Sequence, residues 1–152
     1  MKKLSKISLR KINFSDIEFL RCLRNQPDVY KYSRNSWPIS WQEHIKWISP
    51  IISGTGNKEL FVIKNLKTPI GQVRFDFQNN GEAEVSISIL KEFWGRGFAA
   101  RALSLALKKQ KKAKKIIAEI HKDNIASIKL FEKLNFKLKE KKGVWLKYML
   151  EI

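Results

Sequence analysis

The sequence predicts a mixed α/β fold, in which about seven mostly antiparallel strands form one sheet flanked by four helices. Three observations lead to this class. Short segments near the start, middle and end of the chain alternate apolar and polar residues, which is the period of a half-buried strand. Four other segments repeat apolar residues at helical spacing. The resulting order, β-α-α-β-β-β-α-β-α-β-β, contains a three-strand meander and one right-handed crossover between parallel strands.

The chain opens with a strand and a helix. Residues 7–12 alternate apolar and polar side chains, as an edge strand with one buried face does. Ser15 and Asp16 offer a helix N-cap, and apolar residues then recur at helical spacing until Pro27. These signals predict the first strand and the first helix.

A second helix follows residues 28–38, which show no clear period. Ser40 and Glu43 have the three-residue spacing of a capping box, in which each side chain satisfies a main-chain amide of the first turn. We expect this helix to begin at Trp41 and to stop near Pro50, because proline lacks the amide that a helix interior needs.

Three strands then form the antiparallel meander. Loop residues 53–57 precede an apolar run at residues 60–63, and residues 70–77 place alternate apolar side chains on one face. The turn signal at residues 79–81, Asn-Asn-Gly, follows, and residues 85–89 alternate again. Because short links join antiparallel neighbours, we expect these strands to pair as hairpins.

The last third of the chain contains the crossover and a closing hairpin. The crossover runs from the strand of Glu84, through a helix that begins at Gly97 and ends in lysines, to the strand of Ile117. Residues 124–134 predict the fourth helix, and Asn135 stands where a left-handed cap is needed. The closing hairpin consists of residues 136–138 and 144–150.

The composition is that of a single folded domain over residues 1–152, with 43% hydrophobic residues and no low-complexity tract. One cysteine, Cys22, excludes an internal disulfide, and with two separated histidines it forms no metal-ligand pattern. No apolar run can span a membrane and residues 1–10 lack the apolar core of a signal peptide, so we expect a cytoplasmic protein without membrane contacts. The net charge of +17 favours anionic partners.

The segment KEFWGRGFAARAL places a Gly-x-Gly hinge, Gly95-Arg96-Gly97, directly before the third helix. The first turn of a helix leaves main-chain amides unpaired at the positive end of the helix dipole, where a phosphate binds well. Glycines allow close approach, and Arg96 and Arg101 add positive charge, so we expect a pyrophosphate there. The segment is not a dinucleotide-binding fingerprint, because Ala100 replaces the third glycine of that motif. It is not a P-loop either, because no Gly-Lys-Ser/Thr follows. A tight strand-to-helix turn without a ligand is the alternative.

The whole chain resembles the Gcn5-related N-acetyltransferases (GNAT). The segment AEVSISILKEFWGRGFAARAL is similar to that family's acetyl-CoA segment, and NIASIKLFEKLNF resembles its asparagine-containing helix. The resemblance implies an acyltransferase with acetyl-CoA as cosubstrate. In the family pattern Gln/Arg-x-x-Gly-x-Gly/Ala, Gly97 and Ala99 match and Trp94 replaces the first polar residue. The residues that the resemblance places on the coenzyme are Ile89, Gly95, Arg96, Gly97, Phe98, Ala99, Asn124 and Ser127.

The resemblance also implies catalytic groups. Glu84 matches a position where many relatives place the general base, although a solvent-facing glutamate is the alternative. The strand of Ile89 is expected to splay from its neighbour and to offer a main-chain amide to the reaction's oxyanion. Phe131 stands where many relatives carry an acidic tyrosine, so the proton donor is left open. The alternatives are Tyr148, Tyr30, Tyr32, Ser127 or a water molecule.

The acceptor amine is sought in RNQPDVYKYSRNSWPISWQEH, residues 24–44. This segment resembles the subgroup that acetylates the 4-amino group of nucleotide-linked deoxyamino sugars, as in pseudaminic acid synthesis. The resemblance implies a UDP-linked sugar bound by Arg24, Asn25 and His44, with Trp37 stacked on the uracil. The alternatives are that His44 has only a structural role and that Trp37 is buried in the protein rather than stacked on a ligand.

Two other functions are left open. Phe131 and the basic surface also fit an enzyme that acetylates protein N-termini or ribosomal proteins. The lysine run KKQKKAKK, residues 108–115, is either a solvated helix end or a contact with nucleic acid or the ribosome. The third hypothesis is therefore a non-catalytic RNA-binding module on the same fold. A homodimer is also left open.

Overall fold

The structure is a computed structural model that describes residues 5–152. Residues 1–4 lie outside the described residues, so the expected lack of a signal peptide stays a prediction. The strands are β1 (Ile7–Lys11), β2 (Lys58–Asn65), β3 (Thr68–Phe77), β4 (Glu82–Ile89), β5 (Lys115–His121), β6 (Lys137–Lys142) and β7 (Trp145–Glu151). The helices are α1 (Ile17–Arg24), α2 (Pro27–Tyr30), α3 (Trp41–Ser53), α4 (Phe98–Lys109) and α5 (Ile125–Lys133), with short 3-10 turns at Phe14–Asp16 and Lys91–Phe93. Among these helices, none is long and apolar enough to cross a membrane.

The seven strands form one sheet in the order β1-β2-β3-β4-β5-β7-β6. Every neighbouring pair is antiparallel except β4 with β5. The predicted fold class, the meander β2-β3-β4 and the edge position of β1 are therefore confirmed. Helix α4 connects the two parallel strands, as the crossover interpretation requires.

The parallel pairing of β4 with β5 is short. It comprises three residue pairs, from Glu82 opposite Lys115 to Glu84 opposite Ile117, although β4 continues to Ile89 and β5 to His121. Beyond the last pair the two strands separate. The splay that the family resemblance implied is thus present in the fold.

Alternation along the strands gives each face of the sheet its own core. On β3, Val73 and Phe75 face a large cluster that includes Leu103 of α4 and Phe131 of α5. The opposite face packs against α1 and α3 through a second cluster, Leu20, Leu23, Ile48, Ile51 and Leu60. Burying one such leucine or isoleucine stabilises the fold by about 1.5–3 kcal/mol. On this second face β3 presents Gln72 and Arg74, so part of the sheet beneath α1 and α3 is polar.

The predicted cap of the first helix is confirmed in position, since Asp16 is the N-cap residue of α1, but the Asp16 side chain forms no cap hydrogen bond with α1. Asn13 is the N-cap of the turn before α1, accepting from the Ser15 amide at 2.9 Å, while the Asp16 carboxylate accepts from the Asn13 amide at 2.8 Å. Asp16 is buried and pairs with Arg10 at 2.7 Å. Burial raises the pKa of Asp16, but the hydrogen bonds from Arg10 and Asn13 outweigh it and lower that pKa. The carboxylate therefore ties β1 to α1.

Two further helix predictions needed correction. Helix α3 starts at Trp41 with Ser40 as its N-cap, as predicted, but it runs through Pro50 to Ser53. A proline near the last turn removes one hydrogen bond, and burial of Ile51 against α1 offsets that loss. The helix ends instead at Gly54, whose φ of 71° is left-handed. The four-residue helix α2 was not predicted because it buries no side chain and shows no apolar period.

Candidate active site

The splay opens into a cleft of about 500 Å³ between the sheet and the first helices. Strands β3, β4 and β5 form its floor, and α1, α3 and the connection around residues 32–39 form its opposite wall. Asn124 and Ser127 of the α5 region line the same cleft, so it reaches through the gap between β4 and β5.

The N-terminus of α4 carries the Gly-x-Gly hinge. Gly95 and Gly97 both have left-handed backbones, with φ of 75° and 76°. The first amide of this region that is hydrogen-bonded to the main chain is that of Arg101, which donates to the Gly97 carbonyl at 3.2 Å. The amides of residues 95–100 therefore have no partner among the described residues. Six free donors at the positive end of a helix dipole suit a pyrophosphate.

Positive side chains border these amides. Arg96 lies over the rings of Phe93 and Phe98, at 5.7 and 5.9 Å, and Arg101 lies 5.8 Å from the Phe98 ring. Neither arginine forms an ion pair with a carboxylate of the described residues. Phe98 itself is buried in the core, so its predicted coenzyme contact is available only through its main chain.

The free edge of β4 faces the gap. Leu90 donates its amide to the Ile70 carbonyl of β3 at 2.9 Å. Because successive residues of a strand point their main-chain groups to opposite sides, the amide and carbonyl of Ile89 point away from β3. The indole Nε1 of Trp94 donates to that carbonyl at 2.8 Å. The hinge and the strand end are thus tied together, and the Ile89 amide points into the gap.

Gly71 holds this strand end close to β3. It lies opposite Ile89, and a Cβ atom there would be 2.3 Å from the Ser88 carbonyl oxygen. Only glycine permits that approach. Sequence reasoning missed this residue, since its function appears only once β3 and β4 are paired.

On the other side of the gap, Asn124 caps α5 by accepting from the Ser127 amide at 3.3 Å. Both residues line the cleft, where the resemblance placed them beside the coenzyme. Phe131 is buried and meets Phe136 edge-to-face at 4.9 Å. It is a core residue with no proton to donate.

Glu84 stands at the end of the parallel ladder and lines the cleft. Its carboxylate has no hydrogen bond or ion pair within the described residues. Burial raises the pKa of Glu84, the nearby Glu119 and Asp76 raise it further, and Arg34 and Arg74 oppose the shift. Asp76, opposite Glu84 on β3, is different: burial raises its pKa, but ion pairs with Arg74 and Lys58 outweigh burial and lower it. Glu84 is therefore the uncompensated carboxylate of the pair.

A set of side-chain contacts across the cleft was not predicted. Arg34, in the connection before α3, forms an ion pair with Glu119 of β5 and lies 5.1 Å over the Trp145 ring. Tyr32 packs on His121 at 5.4 Å. Arg34 and Glu119 are 85 residues apart in the chain. The one sequence signal that could have pointed to this contact is the alternation along β5, which puts Glu119 on the same face as Ile117.

The three predicted acceptor residues are each bound to the protein's own main chain. Arg24 donates to the Asn35 carbonyl at 2.9 Å, and Asn25 exchanges two hydrogen bonds with Ile39. His44 Nε2 donates to the Ile17 carbonyl at 2.9 Å, and burial lowers the pKa of its ring. Arg24 and His44 line the cleft, whereas Asn25 shapes the connection that covers it. Trp37 is 58% exposed, so its buried alternative is wrong.

The lysine run lies at the other end of the sheet. Lys108 and Lys109 end α4, while Gln110 is buried and exchanges hydrogen bonds with the Ala113 main chain. Lys112 pairs with Glu59 at 3.2 Å. No cluster of metal-binding side chains occurs in residues 5–152.

The sequence is similar to those of known proteins. The profile of the family described as "Acetyltransferase (GNAT) domain" matches residues 6–137. An uncharacterized protein of Methanocaldococcus jannaschii is 36% identical over 91% of this chain, which spans only 29% of that protein's length. The uncharacterized N-acetyltransferase p20 of Bacillus licheniformis is 28% identical over 94% of this chain and 84% of its own.

Solved structures share the architecture. A crystallised domain from Methanocaldococcus jannaschii superposes with a TM-score of 0.87 and 31% identity, over 98% of this chain and all of that one. The spermidine N-acetyltransferase of Vibrio cholerae, in complex with CoA and spermine, gives a TM-score of 0.84 at 20% identity over 95% of each chain. A ribosomal L7/L12 α-N-protein acetyltransferase in complex with coenzyme A gives 0.79 at 18% identity, over 96% of this chain and 94% of its own. Because the profile of this family matches most of the chain, and the fold has the separated strands that the resemblance implied, this chain belongs to the GNAT acetyltransferase family.

Proposed function

We propose that this protein is an acetyl-CoA-dependent N-acetyltransferase that transfers an acetyl group to the primary amine of a small molecule. One combination of observations carries the proposal: the amides of residues 95–100 have no partner among the described residues, β4 has a free edge beyond Glu84, and the unpaired carboxylate of Glu84 lines the cleft at the gap between β4 and β5. Each is a feature that folding alone does not require.

Acetyl-CoA would supply a thioester carbonyl that is activated toward attack by an amine. The amides of Gly95, Arg96, Gly97, Phe98 and Ala99 would hold its pyrophosphate, with added charge from Arg96. The free main-chain edge of β4 at Ile89, and Asn124 and Ser127 across the gap, would bind the arm that carries the thioester. The Ile89 amide would then stabilise negative charge on the carbonyl oxygen.

Glu84 is the proposed general base. A primary alkylamine is protonated at neutral pH, since its pKa lies near that of lysine, about 10.4. It must lose a proton before it attacks, and Glu84 lies in the cleft, half-buried and without a partner. Its raised pKa is closer to neutral pH, and a general base transfers protons most effectively when its pKa is near the pH at which the enzyme works.

The departing thiolate needs a proton, and Phe131 has none. Of the candidate hydroxyl groups, those of Tyr32 and Ser127 belong to residues that line the cleft. Tyr148 is buried in β7, and burial raises its pKa. Tyr32 and Ser127 are therefore the first to be replaced in a search for the donor.

The narrower hypothesis of a UDP-linked amino sugar draws no support from the relatives. The proteins of similar fold include a spermidine N-acetyltransferase, a ribosomal L7/L12 acetyltransferase and an aminoglycoside acetyltransferase. Arg24 and Asn25, on which the sugar hypothesis depended, are engaged with the main chain of the connection at residues 35–39. We therefore keep the primary amine as the acceptor class.

The test has two parts. Calorimetry should detect acetyl-CoA binding to the purified protein, and a thiol-release assay should then give turnover with at least one amine from a panel of amino sugars, peptides and polyamines. Turnover with peptides alone would favour the protein-acetylating hypothesis. Absence of coenzyme binding, together with salt-sensitive RNA binding, would contradict the proposal and favour the non-catalytic module.

A further inference from the structure

Among the described residues that line the cleft, the buried side-chain polar atoms without a partner are hydrogen-bond acceptors. They are His44 Nδ1 and Gln72 Oε1. His44 is 1% exposed, and because its Nε2 donates to a carbonyl, the neutral ring presents a lone pair at Nδ1. Gln72 uses its amide nitrogen on Ser88 at 3.1 Å and leaves its oxygen free. The unpaired Glu84 carboxylate makes a third acceptor.

The cationic donors of the cleft, in contrast, are already engaged. Arg24 donates to the main-chain carbonyls of Asn35 and Trp37. Arg74 donates to Asp76 at 2.7 Å, and Arg34 donates to Glu119. A ligand that reaches the buried acceptors of this cleft must therefore bring donors. An alkylammonium group brings three.

Arg34 already provides one cation inside the acceptor cleft. Its side chain is 60% exposed, belongs to a connection between helices, and reaches Glu119 from outside the sheet. Exposed ion pairs of this kind are weak, since water and salt screen them. A ligand ammonium can therefore replace Arg34 on Glu119, and the guanidinium retains its place over the Trp145 ring.

The register of the sheet gives the spacing of the two carboxylates. Glu84 lies opposite Ile117, and Glu119 is two residues further along β5 on the same face. With a rise of about 3.3 Å per residue and about 4.8 Å between paired strands, and with β5 leaving β4 beyond Ile117, their Cα atoms are at least roughly 8 Å apart. Two side chains so placed can contact the two ends of a short aliphatic diamine.

We infer that the acceptor is an aliphatic diamine or polyamine, in which the reacting amine faces Glu84 and a second ammonium displaces Arg34 from Glu119. This inference rests on the proposed function and assigns Glu119 as a specificity-determining residue. The net charge of +17 does not oppose it, because surface charges beyond the Debye length of about 8 Å are screened at physiological salt.

The experiment compares putrescine with butylamine, which has the same carbon chain and one amine fewer. For the unmodified protein, kcat/KM should be about tenfold or more higher for putrescine. Glu119→Gln should reduce that preference to about twofold or less, chiefly by raising KM for putrescine. Arg34→Gln should lower KM for putrescine, because the internal competitor is gone.

Glu140→Gln is the matched control, since Glu140 is an exposed glutamate on β6 outside the cleft and its loss should leave the preference unchanged. A preference for butylamine, or an equal loss for both amines in Glu119→Gln, would overturn the inference. Turnover of amino sugars alone would overturn it while supporting the proposed function, and turnover of peptides alone would overturn it in favour of the protein-acetylating hypothesis. Absence of acetyl-CoA binding would overturn both.

Discussion

Glu84 lies opposite Ile117 in the last residue pair before β4 and β5 separate. The carboxylate is therefore fixed by a paired strand on one side and borders an open gap on the other. Its neighbours on β3 and β5 do not neutralise it, since Asp76 is bound by Arg74 and Lys58 and Glu119 by Arg34. This combination of rigid placement and missing partner is what a general base requires.

Glu84→Gln should lower kcat by about 10²–10⁴-fold, because the amide keeps the shape of the side chain but accepts no proton from the amine. Thiol release at saturating amine is the measurement. Glu82→Gln, two residues earlier on the same strand and away from the cleft, should retain activity. A Glu84→Gln variant with near-normal kcat would exclude the proposed base.

The same substitution should change how stability depends on pH. The pKa of Glu84 is raised above its unfolded value of about 4.3, so between these two pKa values the folded state binds more protons than the unfolded state. Stability from this group is thus fully present below the unfolded pKa and is lost as the pH rises through the folded pKa. Thermal unfolding should show that the stability of Glu84→Gln, relative to that of the unmodified protein, increases from pH 4 to pH 8. A constant difference would contradict the shift.

Gly97→Ala should weaken acetyl-CoA binding by about tenfold or more, since it strains the left-handed residue that sets the direction of the free amides and adds a methyl group to the open space where the pyrophosphate would approach. Gly143→Ala is the matched control. Gly143 also has a left-handed φ, 60°, with nothing within 4 Å of an added Cβ, but it lies in the β6–β7 turn. Both variants should lose about 1–2 kcal/mol of stability. Equal coenzyme affinity in the two, by calorimetry, would argue against the phosphate site.

Gly71→Ala should destabilise the protein by about 1–3 kcal/mol and reduce activity, because the methyl group would collide with the Ser88 carbonyl and move the strand end that carries Ile89. Gly56→Ala has open space around the added atom and no positive φ, so it should be nearly neutral. Chemical denaturation and thiol release measure the two effects. An unchanged Gly71→Ala variant would show that this close approach has no function.

The sequence predicted those parts of the fold that depend on local patterns. The period of each strand, the Ser40 cap, the left-handed Asn135 with φ of 71° and the hinge at Gly97 are encoded within a few neighbouring residues. The end of α3 was predicted wrongly because a local rule about Pro50 was outweighed by burial of Ile51 against another helix. Local signals do not report such tertiary contacts.

In the candidate site, too, residues within one segment could be predicted, whereas contacts between distant segments could not. Gly95 and Gly97 were recognisable from one segment, and the family resemblance pointed to Glu84. The ion pair between Arg34 and Glu119 joins residues 85 apart, so no local pattern could reveal it. The resemblance led us to expect that Arg24 and Asn25 bind the acceptor. Their hydrogen bonds are with main-chain groups of the connection before α3, and a pattern of side chains does not predict such bonds.

The proposed activity requires that main-chain amides at the start of α4 bind the coenzyme and direct its thioester toward the gap between β4 and β5. Amide NMR spectra recorded during titration with acetyl-CoA can detect this binding residue by residue. The largest shifts should fall on residues 95–100 and on Ile89, with smaller changes around Asn124. Saturable binding that leaves the amides of residues 95–100 unshifted would contradict this binding mode.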